Sequence, residues 1–459
     1  MKPTDTFLAE ITDTDMDGGG MARIDGLPVF VPFAAEGDLC KIKIEKVNKN
    51  YAFGRLVKII RPSANRVEPQ CGAYCVCGGC GLRHISFGAE NAFKKKQLET
   101  TLRKAGITAQ INDIVFGKSD GYRNKLQMPF SEKDGRIAVG FYKKSTHEVV
   151  PLERCPLHGG WAEKLIAAVT DWANGGDGRR EKTVYCEQTG EGLLRHLVAR
   201  YADGFLSVTI VINGTALPDS RVLYAELARQ FECALYVCRN TAKTNVIMSG
   251  EVKLLHGKER ALNIDGIFME VSPLSFMQIN DEIRAVLYRD VDKLLLKTDL
   301  LFDLYSGAGL LTAMLAKQIN SAVRPCVYGV EIIKEATSDA DMLMLSNGLS
   351  EKVKNICGDA AEILPDLVYQ IVNNNKKTDK PSISVIVDPP RKGCDKKVLE
   401  AIISSKADRV IYISCNPATL ARDLNILKIT YEITSVTPYN MFPRTPHIET
   451  LCCLTLKNS

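Results

Sequence analysis

From about residue 280 onward, apolar runs of four or five residues alternate with longer stretches of helical spacing. The runs fall at 300–304, 326–330, 383–387, 410–413 and 452–456, and helical patterns occupy Leu310–Gln318 and Ala418–Leu427. Strand–helix alternation of this kind predicts a doubly wound, largely parallel sheet. Ligand sites in such sheets lie at the carboxyl ends of the strands. The first 65 residues read differently. Asp17-Gly18-Gly19-Gly20 is a turn, Leu27–Pro32 a short apolar strand, and Lys41–Val47 alternates with period two, so that Ile42 and Ile44 face a core and the lysines face solvent. A small barrel closes short strands of this type. Between them, Ser86–Gly106 predicts one helix with Ser86 as cap and Gly106 as stop, and Leu206–Ile212 is the clearest strand. Asn373–Lys377 reads as a polar loop. The expected class is α/β in three domains: a barrel at 1–65, a central α+β domain at 66–270, onto whose successor the helix 86–106 is free to pack, and a Rossmann-like domain at 271–459.

Composition narrows the class. With 45% apolar and 25% charged residues in 459, the chain is an ordinary globular protein. No run approaches the roughly 18 apolar residues of a membrane span, and Met1–Thr6 opens no secretory signal, so a cytoplasmic location and no membrane partner are expected. The net charge of +5 is mild, but its distribution is not. Lys41, Lys43, Lys46, Lys49, Arg55, Lys58, Arg61 and Arg66 face only Glu45, and a second basic stretch spans Arg83–Lys104. A basic face on a small barrel suits nucleic-acid backbone binding; a solvated strand face is the plainer reading. The 15 cysteines are an odd count that, in a reducing compartment, points to metal or catalysis rather than disulfides.

The strand ends carry the chemistry. Asp303-Leu304-Tyr305-Ser306-Gly307-Ala308-Gly309 follows one strand, and the glycines permit a sharp turn close to a ligand. Glu331, 22 residues beyond Gly309, is placed to accept hydrogen bonds from both ribose hydroxyls of an adenosine, and Asp359 after a third strand suits an adenine amino group. Together they point to S-adenosylmethionine. Asp388-Pro389-Pro390-Arg391 ends another strand, its prolines holding the carboxylate at the sheet edge. Alone, it would suggest methylation of an amino group. Ser414-Cys415-Asn416-Pro417 changes that reading. Cys415 precedes a helix N-terminus, whose dipole is expected to lower the thiol pKa. A thiolate is needed when carbon 5 of a pyrimidine is to be alkylated, because addition at carbon 6 makes carbon 5 nucleophilic. The departing carbon-5 proton needs a base, and Glu449, near His447, supplies one.

Ser275-Phe276-Met277-Gln278-Ile279-Asn280, the 303–309 loop, Asp388-Pro389-Pro390-Arg391, Ser414-Cys415-Asn416-Pro417 and His447-Ile448-Glu449-Thr450 together resemble the RNA 5-methyluridine (uracil-5-)-methyltransferase family over nearly the whole chain. The N-terminal segment looks like that family's TRAM domain, an OB-like barrel. The resemblance implies that Gln278, Tyr305, Glu331 and Asp388 contact S-adenosylmethionine, that Cys415 is the nucleophile and Glu449 the base, and that Phe276 lies near the target uracil. Residue chemistry alone would put Phe276 in the core. Ser306 stands where relatives often carry Cys.

Cys71, Cys77 and Cys80 lie in a Gly-rich loop, and Cys155-Pro156 follows 75 residues after Cys80. Four thiolates can hold a [4Fe–4S] cluster or a tetrahedral zinc; Cys75 is expected to be free. In the family, similar spacing and the barrel belong to enzymes acting on 23S ribosomal RNA, so that RNA is the expected partner of a monomeric enzyme. A transfer-RNA 5-methyluridine enzyme, a 5-methylcytidine enzyme and a non-catalytic iron–sulfur RNA-binding factor are the alternatives.

Overall fold

Alternation along Lys41–Val47 becomes a strand whose Ile42 and Ile44 are buried beside Val29, Val31 and Cys40, with Lys41 and Lys46 exposed. The computed structural model describes residues 1–176, 181–295, 297–374 and 381–457. It divides into two units: Met1–Gln97, Lys118–Lys258 and Phe442–Pro446 form one, and Leu98–Gly117, Glu259–Met441 and His447–Ser459 the other.

The first unit holds two sheets. One has six strands, Thr6–Glu10, Asp13–Thr14, Gly20–Ile24, Leu27–Val31, Leu39–Val47 and Ala52–Arg61, wrapped about a small apolar core. On its outer surface Phe30, Tyr51 and Phe53 form an aromatic group with ring centroids 5.5–6.0 Å apart. Strand register sets Lys46 opposite Phe53, Lys43 opposite Arg55 and Lys41 opposite Lys58. Arg66 departs from the expected basic surface, because its guanidinium binds the buried Asp38 at 2.6 Å. The second sheet has seven strands and is antiparallel except for Phe205–Ile212 against Glu232–Arg239. Its helices Gly160–Asn174 and Ser220–Ala228 contribute to one apolar core with that sheet.

The second unit carries the expected doubly wound sheet. Its strands are β1 (Leu300–Leu304), β2 (Val327–Glu331), β3 (Val353–Cys357), β4 (Ile383–Val387), β5 (Arg409–Ser414), β6 (Tyr431–Tyr439) and β7 (Glu449–Leu456). They lie in the order β3-β2-β1-β4-β5-β7-β6, parallel from β3 to β5, with β7 antiparallel to both neighbours. Helices α1 (Asp281–Leu294), α2 (Leu310–Gln318), α3 (Lys334–Ser346), α4 (Ala360–Asn374), α5 (Lys396–Ser405) and α6 (Pro417–Leu427) accompany it. Strand β6 lacks a continuous apolar run; it is an edge strand, where Pro438 is tolerated. The helix Phe87–Lys104 begins where Ser86 Oγ accepts from the Ala89 N–H at 3.2 Å. From Leu98 on it counts with this unit, and Leu98 and Leu102 are part of its core. Asn373 and Asn374, expected in a loop, close α4, while Asn375, Lys376 and Lys377 lie outside the described residues. Among the described residues no helix is long and apolar enough to cross a membrane.

Candidate active site

Sheet register brings the strand-end residues to one level. Leu304 pairs with both Val330 and Val387, so Tyr305, Glu331 and Asp388 emerge side by side. Ser414 pairs with Thr450 in the antiparallel β5–β7 ladder, which sets Cys415, one residue on, opposite Glu449, one residue back. Glu449 is the first residue of β7, not a loop residue before it.

The glycine loop is built around Glu331. Its Oε2 accepts from the Gly307 N–H at 3.0 Å and its Oε1 from the Ile333 N–H at 2.9 Å. A carboxylate has about four acceptor directions, so each oxygen keeps capacity for a ribose hydroxyl. Gly307 has φ +55°, and a Cβ there would meet nothing within 4 Å. That open space beside a double acceptor fits a nucleoside. Tyr305 itself takes a left-handed φ of 65°. Burial raises its hydroxyl pKa, and Cys394, Asp395 and Asp359 around it add to the shift. Asp359 is exposed and caps α4, its Oδ1 accepting from the Ala361 N–H at 2.9 Å. That capping bond accounts for an acid here without any ligand.

Around Cys415 the groups perturb one another. Burial, then Glu449 and Asp388, push the Cys415 thiol up to about 11, against the opposing pull of Arg391. The helix-terminus expectation of a lowered thiol pKa is therefore corrected. Asn416 does cap α6, its Oδ1 accepting from the Ala418 N–H at 3.0 Å, but burial first, and then two carboxyl groups from remote parts of the chain, raise the thiol. Glu449 is buried, and desolvation with Asp388 nearby raises its carboxyl well above the usual range. Asp388 is pushed to about 7 by its dense surroundings and by Asp303. Its residue retains some solvent exposure, as a group facing an open site must. Asp303, fully enclosed in β1, also reaches about 7; the Thr312 hydroxyl donates to it at 2.6 Å. Acids with raised pKa values grouped about a thiol single this spot out as a candidate functional site.

Sequence reasoning missed Asp303 as a neighbour and Tyr288 entirely. Tyr288 lies on the buried stripe of α1 with Ile283, Leu287 and Val291, so it reads as core. Its hydroxyl pKa is raised by burial and by the charges of Asp388, Asp303 and Glu449, against the opposing pull of Arg284. Gln278 and Phe276 come from the segment leading into α1, which Asn280 caps through the Ile283 N–H at 3.3 Å. Gln278 is buried, whereas Phe276 is 74% exposed, the reverse of a core residue.

Four cysteines of the first unit share one neighbourhood. Burial raises the Cys77, Cys80 and Cys155 thiols, Cys80 to about 11 and Cys155 to about 12, and the repulsions added to burial come from one another and from Cys71. No other cysteine acts on Cys75, which is exposed. Arg83 hydrogen-bonds the Cys80 sulfur. Among the described residues no set of three or more Cys, His, Asp or Glu side chains is arranged to hold a metal ion. Four neighbouring thiols are nonetheless the donor set that an iron–sulfur cluster or zinc takes.

Residues 227–457 match the family model described as tRNA (uracil-5-)-methyltransferase, and residues 3–57 match that of the TRAM domain. An uncharacterized RNA methyltransferase of Halalkalibacterium halodurans is 37% identical over 99% of this chain and 98% of its own. One of Clostridium tetani is 34% identical, covering 99% and 97%. Among solved structures, the Pyrococcus abyssi tRNA (uracil-54, C5)-methyltransferase in complex with S-adenosyl-L-homocysteine superimposes with a TM-score of 0.76 at 26% identity, covering 98% of this chain and 99% of that one.

Proposed function

The chain belongs to the RNA uracil-5-methyltransferase family, and on that footing we propose that it methylates carbon 5 of a uridine in 23S ribosomal RNA through a transient bond from Cys415 to carbon 6. The observation that carries the mechanism is the β5–β7 register, which sets Cys415 opposite Glu449, with Asp388 acting on both.

S-adenosylmethionine supplies an electrophilic methyl group. Glu331 holds the ribose, and Tyr305, Gln278 and Asp388 line the rest of its site, with Asp359 toward the adenine. Cys415 Sγ bonds to carbon 6 of the uracil while the thiol proton passes to Asp388, whose pKa of about 7 suits it to accept at neutral pH. The electron pair released onto carbon 5 takes the methyl group. Glu449 removes the carbon-5 proton, the carbon–sulfur bond breaks, and the thiolate recovers its proton from Asp388. One proton leaves to solvent from Glu449, which balances the methyl gained by the ring. The target base must be unstacked to reach the thiol, and the exposed Phe276 ring is a surface for it to stack on.

The barrel supports RNA binding through its lysines beside Phe30, Tyr51 and Phe53, since cations track a backbone while exposed rings take unpaired bases. The four-cysteine group is the feature favouring ribosomal RNA. A second reading, transfer RNA, is favoured by the Pyrococcus structure, whose match over 98% of this chain removes the barrel as a discriminator. Nucleoside mapping decides: RNA from cells lacking the gene is expected to lose 5-methyluridine at a 23S site. Loss in transfer RNA instead would favour the second reading, and no loss in either RNA would overturn both.

Cys71, Cys77, Cys80 and Cys155 would hold a [4Fe–4S] cluster. Protein purified without oxygen is expected to be brown and to carry about four iron and four sulfide per chain. Cys77→Ser is expected to lose the visible absorption, with Cys75→Ser as the coloured control. A colourless protein with about one zinc per chain would replace the cluster by the metal ion.

A further inference from the structure

Helix α6 starts two residues after Cys415, and its side chains at 416, 419, 422 and 423 recur at three- and four-residue spacing. All four reach one stretch of backbone, the loop after β4 that begins with Asp388. Asn416 Nδ2 donates to the Arg391 carbonyl at 3.1 Å, and Thr419 Oγ1 donates to the same oxygen at 3.3 Å. Arg422 Nη2 donates to the carbonyls of Lys392 and Cys394 at 2.9 and 3.2 Å. Asp423, 0% exposed, accepts from the Cys394 N–H at 2.9 Å, the Tyr412 hydroxyl at 2.6 Å and Arg422 Nε at 2.7 Å.

This approach is close. Gly393 has φ +77°, and a Cβ there would lie 2.6 Å from both Arg422 Nη2 and Asp423 Oδ2. A buried carboxylate is costly unless donors surround it. Here three donors do so: one on the loop, one on β5 and one on α6. At the loop's other end, the Cys394 thiol and the Tyr305 hydroxyl are hydrogen-bond neighbours, which reaches the glycine-loop side of the site.

We propose that Asp423, working with Asn416, Thr419 and Arg422, is a positioning residue for methyl transfer: it locks the loop bearing Asp388 and Arg391 to the helix that begins at the nucleophile. Thiol, acid and guanidinium then keep one spacing. The inference rests on the reading of Cys415 as nucleophile. It differs from simple packing, because a packing role would leave the surroundings of the thiol unchanged once the variant folds.

The test uses full-length Asp423→Asn, which keeps the shape but replaces one acceptor oxygen by a donor. The first readout is the rate of Cys415 alkylation by iodoacetamide from about pH 6 to about pH 10, followed on the Cys415 peptide without RNA. The second is steady-state methylation. The alkylation rate is expected to depart from the wild-type rate by one constant factor at every pH, since both profiles climb without a plateau in this range, and kcat to fall about 10- to 100-fold, the scale of a small misplacement of catalytic groups. KM for RNA is expected to stay within about threefold, since the RNA contacts are untouched. Arg422→Gln alters a half-exposed side chain and covers the case in which Asp423→Asn does not fold; it should give a departure in the same direction with a smaller loss of kcat. Wild-type alkylation profiles in folded variants, or a rise in KM with kcat intact, would overturn the proposal. Trapping of wild-type protein on 5-fluorouridine RNA tests the nucleophile separately, so the two ideas can fail independently.

Discussion

Cys415→Ser is expected to lower methyl transfer by about 10⁴-fold or more, the order seen when a covalent nucleophile is removed. Carbon 5 of uracil acquires its nucleophilic electron pair only after addition at carbon 6, and a serine hydroxyl beside buried acids does not add. RNA containing 5-fluorouridine should become covalently attached to the wild-type protein and not to the variant, as read on a denaturing gel, because fluorine cannot leave as a proton does. Wild-type turnover of RNA by the serine variant would sink the covalent route. The wild-type thiol also has a diagnostic pH dependence. Its pKa is displaced to about 11, so the thiolate fraction grows about tenfold per pH unit throughout the neutral range. Alkylation of Cys415 in the RNA-free protein should climb steadily with pH and reach no plateau below about pH 10.

Glu449→Gln is expected to separate methylation from release. The amide is close in shape, so Cys415 still adds to the ring and the methyl group still moves. It cannot accept the carbon-5 proton, so the carbon–sulfur bond cannot break. Turnover should fall about 10³-fold, within the range of general-base removal, while a methylated RNA–protein adduct accumulates on unmodified uridine. Mass analysis of the digested adduct should find the Cys415 peptide carrying a methylated nucleotide. Free methylated RNA released at the normal rate would move the base elsewhere. In the native protein the carboxyl of Glu449 is displaced upward by burial and by Asp388. Its basic form therefore becomes more abundant as pH rises, and proton removal is expected to speed up in the alkaline direction.

The sheet was readable where strands are fully buried. Residues 300–304 and 383–387 are mostly apolar, each broken by one polar residue (Asp303, Ser384) and ending in a glycine loop or a proline pair, and β1 and β4 occupy those spans. Strand β6 was not readable, because its half-buried residues give no clean period at an edge. The direction of the Cys415 shift was hidden for a different reason. A helix start is visible within a few residues of the thiol, whereas Asp388 and Glu449 reach it only through strand register. Tyr288 and Asp423 were also hidden, one inside an apolar stripe and the other as an unremarkable acid in mid-helix. Arg66 belongs to a basic stretch of the sequence, yet its guanidinium is bound by the buried Asp38, a partner 28 residues away that the stretch itself does not show. The cysteine spacing identified a group of four, but chain spacing says nothing about the angles at which their sulfurs meet.

The unusual proton affinity of Cys415 bears on the enzyme's durability. Peroxide and other cellular electrophiles attack the ionised form of sulfur far faster than the neutral one. A thiol held above its ordinary pKa by burial, Glu449 and Asp388 stays mostly neutral at neutral pH, and Cys415 in the RNA-free protein is expected to resist peroxide longer than an unperturbed thiol, as followed by mass analysis of its peptide.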